Sequence, residues 1–99
     1  MILVEGSFRL PPERLAEAEA PIALVVAASR AEAGCIEYAY GADASDPGLF
    51  IVLEKWDSRA ALDAHFASAH MKRWQETRAA LGFHARAIRV HETGGGETI

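Results

Sequence analysis

The chain has a single cysteine, Cys35, among its 99 residues. A lone thiol cannot close an internal disulfide, and this predicts a reducing, cytoplasmic setting. No run of about 18 apolar residues occurs, so no membrane-spanning helix is expected. The opening MILVEGSFRL has no basic residues before its apolar stretch and is too short for a signal peptide. Lys and Arg total 10 against 14 Asp and Glu, a formal charge of −4. Without a basic block, neither nucleic acid nor an anionic membrane surface is an expected partner. A Gly-rich phosphate loop, a nucleophile elbow and a dinucleotide fingerprint are all missing, as is a Cys/His cluster of zinc-site spacing. An enzyme built from this chain must work with few groups, or let the substrate do much of the chemistry.

Apolar residues are plentiful, at 51% of the chain. That is generous for a chain that buries only about 60–65% of the surface its unfolded form exposes. A second copy of the chain is the expected cover for some of it. One domain is predicted over residues 1–93, followed by a flexible tail, GGGETI, at 94–99.

The element pattern is legible from periodicity. Met1 to Leu10 predicts a strand, ended by Pro11-Pro12. A helix follows from Pro12 to about residue 33, with Leu15, Ala18, Ile22, Val25, Val26 and Ser29 on one face. Pro21 should kink or split it, and Gly34 is a suitable stop. Residues 35–41 predict a second strand and Leu49–Trp56 a third, joined by the turn-forming GADASDPG. The third strand is apolar nearly throughout, so cover on both faces is expected. Asp57-Ser58 offers an N-cap for a helix from Arg59 to about Ala67, which Ser68 interrupts. A further helical piece runs from Ala69 to about Ala80, and Phe83–Glu92 alternates as a fourth strand. The order β-α-β-β-α-β predicts an α+β, ferredoxin-like fold, a four-stranded antiparallel sheet with helices on one face.

His65 poses the sharpest question. Leu62, His65, Phe66 and Ala69 share the spacing of a buried helical stripe. The imidazole is then either a packed core group with a backbone hydrogen bond or a base or acid in a pocket. His65 and His70 are five apart, whereas ligand pairs on a helix want three or four, so no metal site is expected. On the third strand, Phe50, Val52, Glu54 and Trp56 share a face. Glu54 is either near solvent in a surface ion pair or a carboxylate in a half-apolar cleft. Trp74 follows His70 by one helical turn and should neighbour it. Tyr38 and Tyr40 share a face as core or interface residues with bonded hydroxyls.

Together these residues carry a resemblance. Glu32-Ala33-Gly34-Cys35, Glu54-Lys55-Trp56, Ala60-Ala61-Leu62-Asp63-Ala64-His65 and Ser68-Ala69-His70-Met71-Lys72 are similar to the motifs of the antibiotic biosynthesis monooxygenase family. The nearest look is to its small quinol monooxygenases. The resemblance implies a homodimeric α+β barrel with facing sheets and a pocket between sheet and helices in each subunit. It also implies oxidation of a quinol or phenolic small molecule by molecular oxygen without metal, flavin or haem. Deprotonation makes such a ring electron-rich enough to reduce oxygen, and the protein supplies a base and a dry cavity. On this resemblance His65 is the base or phenol-orienting donor, with Trp56 and Glu54 as catalytic partners. Ser7, Val52, Leu62, Phe66, His70 and Trp74 are the expected substrate contacts, His70 and Trp74 at the mouth. The family's aromatic-polyketide branch has Asn and Tyr where this chain has Val52 and Leu62. Its haem-degrading branch has Asn and His where Ser7 and Gln75 stand. Neither chemistry is therefore expected. Two alternatives remain: an acid/base isomerase of a hydroxy-carbonyl metabolite, and a non-catalytic dimeric module that binds an aromatic ligand.

Overall fold

The computed structural model describes all residues, 1–99. The elements are β1 (Ile2–Arg9), α1 (Leu15–Arg30), β2 (Cys35–Ala42), β3 (Leu49–Trp56), α2 (Arg59–Phe66), α3 (Ala69–Ala80) and β4 (His84–Glu92), with a 3₁₀ turn at Pro12–Arg14 before α1. The strands form one antiparallel sheet in the order β2-β3-β1-β4. This is the ferredoxin-like arrangement expected from the element order, with the second helix broken into α2 and α3.

Alternation explains which face the helices cover. In β3 the residues Phe50, Val52, Glu54 and Trp56 are buried, and Ile51 between them is exposed. In β1, Ile2, Val4 and Phe8 turn the same way. Two clusters fill the space beneath the helices. Phe8, Leu10, Ala18, Phe50, Val52 and Leu81 form one, and Ile2, Val4, Tyr38, Trp56 and Leu62 the other. Trp56 and Leu62 are both 0% exposed, and each such side chain contributes about 1.5–3 kcal/mol by leaving water. The expected cover over the other face of β3 is not supplied by this chain: Ile51 is 47% exposed there.

The α1 stripe behaves as periodicity predicts, with Ala18, Val25 and Ser29 buried. Pro21 does not split the helix, which runs unbroken from Leu15 to Arg30. One lost i→i−4 bond is tolerated where the flanking faces pack. The helix ends before the expected stop, and Gly34, at φ +82°, instead closes the turn into β2. A side chain there would strike Asp57 and Ala61, and the Gly34 carbonyl accepts from the Asp57 amide at 2.9 Å. That turn carries Glu32 up against His65 at the end of α2.

The break between α2 and α3 is made by Ser68. Its hydroxyl donates to the His65 carbonyl at 2.6 Å and accepts from the Met71 amide at 3.3 Å. It thus ends one helix and caps the next. Ser58 caps α2 in the same manner, accepting from the Ala61 amide at 3.1 Å. Because of the break, the Leu62–His65–Phe66–Ala69 stripe stops at His65. Phe66 is 40% exposed and Ala69 is exposed. Residues 93–99 have no regular structure. No helix is long and apolar enough to cross a membrane.

Candidate functional site

A cavity of about 360 Å³ lies between the sheet and α2–α3, with Phe83 and residues of β4 also lining it. Its apolar walls are Phe8, Tyr40, Trp74 and Phe83, and its polar groups are Tyr38, Glu54, His65, Arg78, His84 and Arg86. That is at the small end of the range for ligand pockets, with the usual make-up of apolar walls and few polar groups.

His65 is 0% exposed in this wall. Its partner is a side chain rather than the backbone expected of a core histidine: Nδ1 lies 3.0 Å from Oε1 and 3.2 Å from Oε2 of Glu32. A carboxylate can only accept, so Nδ1 carries the proton and donates, and the lone pair is left on Nε2. Nε2 has no protein partner. Burial pushes the His65 pKa below the ordinary histidine value, and Glu32 opposes that push. The side chain is therefore a neutral imidazole with a free acceptor near pH 7, held in one tautomer by Glu32.

Trp56 organises the floor behind it. Its ring centroid is 4.7 Å from that of His65, and its indole N–H donates to Glu54 Oε1 at 3.1 Å. Glu54 is buried, not in a surface ion pair. Desolvation raises its pKa to about 7, against the opposing indole bond and the Arg86 charge. Tyr38 packs edge-on against His65 at 5.3 Å, and its hydroxyl shares a 2.8 Å hydrogen bond with that of Tyr40. Burial raises both phenol pKa values, so both hydroxyls stay neutral.

The structure thus brings His65, Glu54, Phe66 and Trp74 to one cavity. It does not bring the others there. Trp56 is wholly buried behind Glu54 and His65, and it orients them instead of lining the pocket. Val52 and Leu62 lie in the packed clusters. Ser7 falls between Gly6 and Phe8, and the pleat turns it to the opposite sheet face. His70 faces a separate cleft between α1 and α3, bordered by Leu24 and Arg73. The separation of His65 and His70 expected from their five-residue spacing also fails. The bend at Ser68 brings His70 Nε2 against Glu32 Oε1, so both imidazoles meet one carboxylate. Ligand atoms of Glu32, His65 and His70 lie within 4.8 Å of one another, the chain's one grouping of metal-ligand type. The spacing argument against a metal therefore does not hold. Glu32, Arg78 and Arg86 are site residues that sequence reasoning misses. Only Glu32 has a signal, its place in the Glu-x-Gly-Cys motif.

A cavity over a ferredoxin-like sheet, with an imidazole in its wall held by a carboxylate outside it, marks a small α+β domain with one candidate site. The family model for antibiotic biosynthesis monooxygenases matches residues 1–77. The chain belongs to the antibiotic biosynthesis monooxygenase family. Among relatives, the uncharacterised Synechocystis sp. protein sll1783 is 29% identical over 99% of this chain and 67% of its own length. Bacillus subtilis YcnE, named a monooxygenase by assignment only, is 31% identical over 73% of this chain and 76% of its own. The crystal structure of a Deinococcus radiodurans protein assigned to the same family superposes with a TM-score of 0.92 at 26% identity, covering 100% of this chain and 98% of that one.

Proposed function

We propose that this protein is a monooxygenase that oxidises a quinol or phenolic small molecule with molecular oxygen, using no metal, flavin or haem, and that His65 is its base. The observation that carries the reading is the Glu32–His65 pair, which leaves Nε2 without a partner on a buried side chain that lines the cavity. A phenol placed there gives its proton to Nε2. The resulting anion passes an electron to oxygen, and recombination forms a carbon–oxygen bond. The carbon then loses its remaining proton as the O–O bond breaks. In net terms a ring CH₂ of the keto tautomer and O₂ become C=O and water, and the carbon supplies all four electrons. The apolar walls keep water from the anion. The working unit is a homodimer, with the open sheet face around Ile51 covered by its partner, as the family resemblance implies.

The test is oxygen consumption by metal-stripped protein with quinols and phenolic polycycles, beside the His65→Ala variant. Uptake above autoxidation, lost in the variant, is the expected result. Absence of uptake from every compound overturns it. Glu54 favours a second reading: a carboxyl with a pKa of about 7 in the same cavity as a neutral imidazole also suits proton transfer beside a carbonyl. Solvent-hydrogen exchange into a hydroxy-carbonyl compound without oxygen uptake would select that isomerase.

A further inference from the structure

We propose that Arg78 and Arg86 form an anion subsite in the cavity, and that its ligand is an aromatic ring bearing an ionised acid group. The two arginines come from different elements, α3 and β4, yet both line the same space. Neither has an ion pair or side-chain hydrogen bond. Arg9, Arg14, Arg59 and Lys55 by contrast each hold a carboxylate. Lys72, Arg73 and Arg89 are also without an ion pair, but of the unpaired cations Arg78 and Arg86 alone line this cavity, in a chain with 14 Asp and Glu to 10 Lys and Arg.

The other ionisable groups facing them are Glu54, His65, His84, Tyr38 and Tyr40. Glu54 is the single carboxyl, and it is already bonded by the Trp56 indole. Burial, and then the charge of Arg86, make the protonated state of Arg78 harder to hold. Like charges beside apolar walls are relieved by an anion, and a planar guanidinium suits an oxyanion with two parallel bonds. Phe8, Tyr40, Trp74 and Phe83 supply ring-packing walls, with Trp74 edge-on to Phe83 at 5.2 Å. A cavity of about 360 Å³ holds a ligand of a few fused rings. The hydroxyl of that ligand would lie toward His65. Only this last placement rests on the proposed oxygenation.

The test is equilibrium dialysis under nitrogen with a dihydroxynaphthoate and with the dihydroxynaphthalene of the same ring pattern. The acid should bind about tenfold or more tightly than the neutral compound at low salt, as for hydrogen bonds to charged groups. Arg78→Gln and Arg86→Gln should bring the ratio toward unity, and Arg86→Lys should keep most of it. Equal binding, tighter binding of the neutral compound, a ratio unchanged in both glutamine variants, or no saturable binding of either compound would overturn the subsite. Admitting oxygen to the same samples separates the two proposals. An acid preference without oxygen uptake keeps the subsite and removes the oxygenase. Uptake from the neutral compound without any acid preference does the reverse.

Discussion

Glu32 and His65 are 33 positions apart in the chain and 3.0 Å apart at their polar atoms. One residue stands in a turn fixed by Gly34 and the other lies at the end of α2, so the pair depends on two separate local structures meeting. If Glu32 holds the tautomer and raises the basicity of His65, Glu32→Ala should leave the imidazole with the full effect of burial. Its pKa falls further, because the carboxylate that stabilised the imidazolium is gone. The acid limb of the pH–rate profile for oxygen uptake should then move to lower pH, and the plateau should fall by about tenfold or more, a loss of the size general-base catalysis provides. An unchanged profile would show that Glu32 has no influence on the base.

Much of this arrangement is readable in the sequence, but unevenly. The element order, the Ser58 cap and the Ser68 interruption follow from local chemistry, because alternation and capping depend on neighbours in the chain. Helical spacing and the family motifs together point His65, Phe66 and Trp74 at the cavity that the structure gives them. They misplace Ser7 and His70, because the facing of those residues depends on pleat phase and on the angle of the α2–α3 bend. Arg78 and Arg86 cannot be found from spacing, since they lie on different elements and look like ordinary solvated charges until the sheet and helix are packed together. Glu54 is ambiguous in the sequence for a related reason: only the helices overhead decide whether a strand-end carboxyl is wet.

Ser68→Ala should cost about 1 kcal/mol, the usual value of an N-cap. The loss has a second component here, because the same hydroxyl bonds the His65 carbonyl. The variant should show a lower urea midpoint with an unchanged slope, together with weaker catalysis as the bend that seats His65 relaxes. A Ser68→Thr or Ser68→Asp variant, which keeps a capping oxygen, should recover most of the stability. Full activity in the alanine variant would separate the bend from the site.

Gly34→Ala tests the opposite side of the pair. The backbone sits at φ +82°, and the new Cβ would lie 2.5 Å from Asp57 Oδ1 and 2.7 Å from the Ala61 Cβ. Strain and overlap together should destabilise the fold by roughly 1–3 kcal/mol. Because the turn also sets Glu32, the pH–rate limb should move in the same direction as in Glu32→Ala. Thermal melting and the pH profile, measured on one preparation, check both parts.

The open sheet face makes its own prediction. Sedimentation at micromolar concentration should give a dimer, and Ile51→Asp, which places a charge on that face without touching the core, should give a monomer. A monomeric parent protein would remove the proposed dimer and leave the fold as described.

Glu54 makes stability depend on pH in a direction opposite to that of an ordinary paired carboxylate. Its pKa is raised from 4.5 to about 7 in the fold, so between those values the folded chain holds a proton that the unfolded chain has released. Stability from this group is therefore fully present below pH 4.5 and is lost as pH rises through about 7. The ceiling is roughly 3 kcal/mol, from about 1.4 kcal/mol for each tenfold gain in proton affinity on folding. Glu54→Gln removes the ionisation while keeping an acceptor for the Trp56 indole. Urea midpoints of parent and variant should diverge between pH 4.5 and about pH 7 and run parallel above that, the variant gaining relative to the parent as pH rises. Curves parallel throughout would mean that Glu54 is solvated and ionised in the folded state. The carboxyl would then have no role as an acid in the cavity, and the isomerase reading would lose the observation that favours it.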